Sequence, residues 1–226
     1  MKISKLTKST YDKTYRDGYD KTYPSIELVR IENIFFKNKG NLLDFGCGPG
    51  SNGIHFLKKG FKVTFCDISS QTLSNVKNKI KLLGKKYKDK YKIVNLYKHP
   101  NYFNKKKNFY DFVVCMSVFN NFENEIMAKQ YLKKFNFLMK QNGKLVVDSN
   151  LAKKHNYRKV MIKKKTYFTT NPKNRHLLKM FFPKSVKKFA KLVKNSGFKI
   201  NDIGKANFKV FSSFENEIII SATKIK

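Results

Sequence analysis

Residues 41–69 read NLLDFGCGPGSNGIHFLKKGFKVTFCDIS, and this stretch decides the fold. Leu42, Leu43 and Phe45 make a short apolar run that stops at Gly46-Cys47-Gly48-Pro49-Gly50. The next periodic segment, Ile54, Phe56 and Leu57, stops at Gly60. A second apolar strand, Phe61 to Cys66, then delivers Asp67. Strand, glycine loop, helix and strand in this order form a βαβ unit. Its glycines let the backbone approach a ligand, and the first amides of its helix point toward that ligand. A P-loop is excluded, because Gly50-Ser51-Asn52 stands where Gly-Lys-Ser/Thr is required. A dinucleotide fingerprint fits poorly. Ser51 occupies the place of its third glycine, and Pro49 removes one amide from the loop. Asp44, two residues before the first glycine, would repel a diphosphate but suits a ligand with an ammonium and a sulfonium. Asp67 is placed to accept hydrogen bonds from both hydroxyls of a ribose. An adenosine with a cationic amino-acid tail satisfies both acids.

With Leu43, Asp44, Gly46, Gly48 and Gly50 matching hydrophobic-Asp-x-Gly-x-Gly-x-Gly, the stretch resembles the cofactor motif of class I S-adenosylmethionine-dependent methyltransferases. The resemblance implies S-adenosyl-L-methionine as cofactor. The loop Gly46, Cys47, Gly48, Gly50 and Asp44 would hold its methionine end, Asp67 the ribose, and Ile68 the adenine. It also implies an α/β fold: a doubly wound, seven-stranded, mostly parallel sheet with a C-terminal antiparallel hairpin and helices on both faces.

Working outward, the chain keeps alternating. Ser69 or Ser70 caps a helix through Leu73, Val76, Ile80 and Leu83 that Gly84 closes. Tyr91 to Leu96 is a third strand. The family's acid for the adenine amino group would follow it, but Tyr97, Lys98 and His99 stand there, leaving Tyr102 or a backbone carbonyl as substitutes. Phe109 to Ser117 is a fourth strand, and Ser117 either contacts the cofactor or caps the next turn. Ser117-Val118-Phe119-Asn120-Asn121 lacks the Asn/Asp-Pro-Pro-aromatic turn of enzymes that methylate amino groups of nucleic-acid bases. A helix over Met127–Lys140, ended by Asn142-Gly143, leads to a fifth strand, Lys144–Asn150. A last helix opens at Ser185 and stops at Gly197. Strands Phe198–Phe208 and Glu217–Thr223 follow as a hairpin with its loop at Ser212 and Ser213.

The chain of 226 residues, 41% hydrophobic, is read as one domain. Residues 1–40 form a helical cap segment, and residues 41–226 the methyltransferase domain with a substrate lid at 151–183. That lid segment has no clear periodicity and carries Tyr157, Tyr167 and Phe168. It follows the fifth strand, so it overhangs the ligand crevice. His155, close behind the strand, is the best-placed general base, with a plain surface histidine as the competing reading. In the cap segment Tyr11, Tyr15, Tyr19 and Tyr23 recur every four residues, interrupted by Gly18 and Pro24; Ser25 is an N-cap candidate for the helix after it. A tyrosine stripe packed on the core explains this spacing. The family resemblance offers a second explanation, with Tyr15 or Tyr23 touching the sulfonium.

The formal charge of +34 invites a nucleic-acid reading. However, Arg16, Arg30, Arg158 and Arg175 are the only arginines, and the lysines are spread over every expected helix face and loop. That is a solvated lysine coat rather than a specific nucleic-acid surface, and it attracts anions. Cys47, Cys66 and Cys115 are read as reduced thiols, and the histidines have no metal-ligand spacing, so no metal site is expected. The first twenty residues hold no apolar run and no later run spans a bilayer, so the expected setting is cytoplasmic with no membrane partner. The reading is a methyltransferase for a small, anionic acceptor. A tRNA or rRNA methyltransferase, a non-catalytic adenosyl-ligand binder and a nucleotide-dependent oxidoreductase on a similar sheet remain open.

Overall fold

The computed structural model describes residues 5–152, 158–162, 165–169, 177–210 and 213–225. Strands β1 (Asn41–Phe45), β2 (Lys62–Asp67), β3 (Tyr91–Asn95), β4 (Tyr110–Cys115) and β5 (Met139–Asn150) run parallel. After a separate hairpin, β6 (Arg158–Ile162) and β7 (Lys165–Thr169), β8 (Phe198–Val210) and β9 (Ser213–Lys224) complete the main sheet in the order β3-β2-β1-β4-β5-β9-β8. β9 is antiparallel to both neighbours. The order reverses between β1 and β4, so the crevice beyond the carboxyl ends of those two strands is where a ligand is expected.

Alternation along the strands separates two cores. Leu42, Val63, Phe65, Phe112, Val114 and Val146 face α2 (Ile26–Phe35), α3 (Ser51–Lys58) and α4 (Ser70–Leu82) through Leu28, Phe56, Leu57, Leu73, Val76 and Ile80. Leu43, Val113, Cys115, Leu145 and Val147 face α5 (Glu125–Leu138) and α6 (Val186–Lys194) through Leu132, Phe135, Leu138, Phe189 and Val193. Ser69, Asn124 and Ser185 cap α4, α5 and α6 by accepting the amides of Thr72, Met127 and Lys188. Such caps are worth about 1 kcal/mol each. All three cysteines are buried free thiols, and burial pushes each pKa up, which makes them poor nucleophiles. No helix among the described residues is long and apolar enough to cross a membrane.

Several boundaries differ from the sequence reading. α5 stops at Leu138 rather than Lys140, because Met139 pairs with Tyr110 and Lys140 forms an ion pair with Asp111 at 2.9 Å, which draws the chain into β5 early. The C-terminal hairpin is longer at its tip, with Val210 pairing with Ser213. Ser25 occupies the N-cap position of α2 but its side chain caps nothing. Its amide donates to Asn52 Oδ1 at 2.9 Å, and its hydroxyl accepts from Lys21 Nζ at 3.2 Å. Between β3 and β4 there is only a 3₁₀ turn, Tyr102–Lys105. The segment after β5 holds a regular hairpin, β6 with β7, which strands of only five residues concealed. Phe168 and Leu178 exchange backbone hydrogen bonds of 2.8 and 2.9 Å beside it.

The cap segment is a helix, α1 (Lys5–Arg16), followed by an irregular run into α2. Its buried residues are Thr7, Thr10 and Tyr15, a polar inner face that packs on a ligand crevice rather than on a core. It is stitched down by hydrogen bonds. Asp12 Oδ1 accepts from Ser69 Oγ at 2.6 Å, Leu177 O from Thr10 Oγ1 at 3.2 Å, and Lys21 O from Ser51 Oγ at 2.8 Å. Lys79 bonds both Asp20 and, at 3.1 Å, the carbonyl of Pro49.

Candidate active site

The glycine loop leaves β1 with Gly46, Gly48 and Gly50 all at positive φ, 67°, 50° and 82°. Each also lacks room for a side chain. A Cβ on Gly46 would strike Val118, and one on Gly48 would lie 2.8 Å from the Tyr15 hydroxyl. Two acids hold the loop. Asp44 is 2% exposed and its Oδ2 accepts the amide of Gly53, in the first turn of α3, at 2.9 Å. Burial pushes its pKa up to about 7 against that hydrogen bond, with Asp67 adding to the rise. Asp67 Oδ2 accepts Gly48 N at 3.1 Å and Oδ1 accepts Ser69 N at 2.9 Å. Its pKa is also raised by burial, against the amides of Ser69, Gly48 and Ile68, and Asp12 adds to the rise.

Two adjoining cavities open over the carboxyl ends of β1 and β4. The first has about 640 Å³ of space including its mouth, and Asp67 and Ser117 sit among apolar walls formed by Ile68, Leu96, Val118, Phe122 and Met127. The second, about 1300 Å³ including its mouth, runs from Gly46–Pro49 along Thr10, Thr14, Tyr19 and Lys21 to Met116 and Leu178. Tyr11, Tyr15, Gly46 and Ser117 line both. The rings of Tyr11, Tyr15 and Tyr19 form a ladder, with centroids 6.3 and 6.0 Å apart, that roofs the junction.

The structure therefore brings together Tyr15, Gly46, Cys47, Gly48, Asp67, Ile68 and Ser117 on cavity walls. Asp44 lines neither cavity; its carboxyl lies behind the loop and fixes the start of α3. Gly50 also lies behind, against Val76 and Ile54. Tyr23 is 65% exposed and Tyr102 lines neither cavity. His155 and Tyr157 lie outside the described residues. Ser117 caps no turn. At φ 58° its amide donates to Asp148, 2.7 Å from Oδ1 and 2.8 Å from Oδ2. Asp148 is 1% exposed, and burial pushes its pKa well up, as does Glu217, whose side chain hydrogen-bonds it.

Sequence reasoning missed Asp148, and it missed Asp12, which ties the roof to Ser69. It also missed Asn120, whose side chain bonds Ser149, Asn150 and Phe181 and so anchors the turn after β4. For Asp148 and Asn120 the available signal was a polar residue in otherwise apolar surroundings at or just after a strand end; Asp12, in the polar sequence of α1, gave none.

A doubly wound sheet whose glycine loop faces an acid at the tip of β2 across an adenosine-sized crevice defines a class I S-adenosylmethionine-dependent methyltransferase. The chain belongs to the methyltransferase-domain family, whose model matches residues 21–202. No curated protein sequence matches it. Among solved structures it is similar to the 1,6-didemethyltoxoflavin-N1-methyltransferase of Burkholderia thailandensis, with 14% identity, 98% of this chain and 88% of that one covered, and a TM-score of 0.71. The magnesium protoporphyrin IX methyltransferase of Synechocystis PCC 6803 is similar at 14% identity, with 99% and 89% covered and a TM-score of 0.61. A [4+2]-cyclase shares the fold at 10% identity, with 100% and 98% covered and a TM-score of 0.70. At these identities the likeness is one of fold, and the chemistry rests on the family and on the site.

The residues present fit the cofactor. Asp67 keeps lone pairs for ribose hydroxyls after accepting the backbone amides, and the cavity it lines is otherwise largely apolar, as a purine requires. The glycine loop offers a surface that no Cβ obstructs.

Proposed function

We propose that this enzyme methylates a small, anionic molecule bound in the second cavity. The observation that carries this reading is the lining of that cavity. Beyond the glycine loop it consists of tyrosine rings, Met116, Leu178, serine and threonine residues, Asn52 and the ammonium of Lys21, with no carboxylate among the described lining residues. An aromatic or apolar body with a negative charge matches those groups, and the surplus of lysine steers such a molecule inward. The 1,6-didemethyltoxoflavin and magnesium protoporphyrin IX named for two structural neighbours are small molecules, which supports an acceptor of that size.

The cofactor, when bound, supplies a methyl group already electrophilic on its sulfonium. Asp67 would hold the ribose, Ile68 and Leu96 the adenine, and the Gly46–Pro49 backbone the methionine tail. The protein's own task is then alignment and exclusion of water, which α1 performs by roofing the junction with Tyr11 and Tyr15. Burial and the nearby Asp67 push the Tyr15 pKa far up, so its hydroxyl stays a hydrogen-bond donor and does not act as a base. Residues 151–183 act as the acceptor lid, with Leu178 as their contact on the cavity wall.

The test is methyl transfer from S-[methyl-³H]adenosylmethionine to a panel of carboxylated and phenolic aromatics, matched amines, and bulk tRNA and rRNA. Turnover confined to anionic small molecules, and reduced at least tenfold by Lys21→Glu, is expected. Turnover that depends on RNA, or a preference for cationic amines, refutes the reading. Replacing residues 158–169 with a short Gly-Ser linker should change the acceptor preference while leaving S-adenosylhomocysteine affinity within about threefold, since distant sites are usually additive.

A further inference from the structure

The turn after β4 carries a side chain that the fold itself does not satisfy. Asn120 and Asn121 are adjacent, yet their circumstances are opposite. Asn120 Nδ2 donates to Ser149 Oγ at 2.9 Å, Asn150 O at 3.1 Å and Phe181 O at 2.9 Å, and its Oδ1 accepts Asn150 N at 2.8 Å. Asn121 Nδ2 donates to Ser117 O at 3.5 Å, but its Oδ1 is buried and accepts no hydrogen bond from any described residue. A buried amide oxygen left without a donor is destabilising, because it has given up its water without gaining a partner. Of the buried side-chain oxygens in this condition, that of Asn121 belongs to a residue lining the adenosyl cavity.

Its surroundings identify the missing donor. Asn121 shares the first cavity with Ile68, Leu96, Val118, Phe122 and Met127, apolar groups suited to the faces of a purine. The turn after β3, where an acid for the adenine amino group was expected, offers none. There Asn95 Oδ1 accepts the amides of Tyr97 and Lys98 at 3.0 and 2.9 Å, and from that turn Leu96 alone lines the cavity. The position of Asn121 is fixed in advance. Asp148 holds the Ser117 amide, Asn120 ties the 3₁₀ turn to β5 and to Phe181, and the bond from Nδ2 to Ser117 O sets which amide atom is spare. An exocyclic amine is a donor that is costly to bury unpaired.

We propose that Asn121 Oδ1 accepts the hydrogen bond of the adenine amino group, replacing the acid that the chain lacks after β3. This rests on the cofactor assignment above and makes Asn121 the residue that selects adenine. An adenosyl ligand would satisfy the buried oxygen, whereas a hypoxanthine analogue presents a carbonyl to it.

Calorimetry with S-adenosylhomocysteine and S-inosylhomocysteine on the wild type, Asn121→Leu and Asn121→Asp tests the proposal, with circular dichroism confirming the fold of each. The wild type should bind the adenosyl compound at least about tenfold more tightly than the inosyl compound. Asn121→Leu should bring the two within threefold by weakening the adenosyl compound. Asn121→Asp, which keeps the acceptor and removes the donor a rotated amide offers to hypoxanthine, should hold or widen the preference. Should Asn121→Leu not fold, the Asp variant carries the test, and a narrowed preference there overturns the proposal. So does equal binding of both compounds by the wild type, or an undiminished preference in Asn121→Leu. A wild type that binds neither compound refutes the cofactor assignment itself, an outcome distinct from any of these.

Discussion

Gly53→Ala pits helix propensity against packing. Gly53 lies in the first turn of α3, and alanine in a helix is favoured over glycine by about 1 kcal/mol, so secondary structure alone predicts stabilisation. The tertiary structure predicts the reverse. A Cβ there would lie 2.6 Å from Asp44 Oδ2 and 2.8 Å from Phe65 Cδ1, and would touch the rest of that ring edge. Phe65 is 0% exposed, so its ring has nowhere to retreat. Overpacking of this kind costs about 1–3 kcal/mol. The displaced Asp44 carboxyl also loses much of the 2.9 Å bond from Gly53 N, worth about 1–2 kcal/mol for a buried acceptor. Net of the propensity gain, the loss is about 1–4 kcal/mol, whose middle value lowers a urea midpoint by roughly 1 M at the slope of a small protein. Urea unfolding followed by circular dichroism measures it. A double-mutant cycle with Phe65→Leu should recover about 1 kcal/mol as coupling. An unchanged or higher midpoint for Gly53→Ala would mean that the loop has slack, and that Asp44 does not act by pinning it.

Three further expectations concern charge. Asp67→Ala should weaken S-adenosylhomocysteine by about 1–3 kcal/mol in calorimetry, and an undiminished affinity would remove the ribose role. Because burial first of all holds the Asp44 pKa near 7, the folded chain keeps a proton that the unfolded chain loses near pH 4. The stability Asp44 contributes is therefore greatest below pH 4 and is lost as pH rises toward 7, levelling off above. The difference in urea midpoint between wild type and Asp44→Asn should fall across that window; a difference independent of pH contradicts the assignment. Binding to duplex DNA or structured RNA should be weak, indifferent to sequence and steeply reduced by salt, and sequence-selective binding at physiological salt would overturn the view of the lysines as a solvated coat.

The fold was legible because it is written in local signals. Periodicity changes from strand to helix at Gly46 and back at Gly60, Ser69 and Ser185 announce caps, and two terminal strands without an intervening helix imply antiparallel closure. What escaped was set by contacts distant in the chain. Nothing local tells that Lys140 will meet Asp111 and shorten α5, or that lysine-rich residues 158–169 will pair with each other. Of the tyrosine repeat, Tyr11 and Tyr15 lie on α1, but the helix stops at Arg16: Tyr15 is 9% exposed, while Tyr19, beyond the helix end, is 53% exposed.

The site was legible in proportion to how far its chemistry resides on one stretch of chain. Asp67, Ile68 and the glycines lie within thirty residues of one another, and the structure has them on the cavity walls or at the turn behind them. Asp44 shows why pattern stops at identity. Its position in the motif was recognised, but a carboxyl two residues before a loop can face the ligand or the helix behind, and only the packed structure shows that it accepts Gly53 N. Asp12, Asn120, Asn121 and Asp148 belong to no short motif. Each matters through a partner 29 or more residues away or through a cavity assembled from several strand ends, as with Asp12 and Ser69, separated by 57 residues. Their common trait is physical. Each places a polar atom at the carboxyl edge of the sheet, where polar atoms are retained because a ligand or a backbone turn requires them. In Asp12, Asn120 and Asp148 that requirement is met inside the protein, and in Asn121 it is met only when a donor enters the cavity.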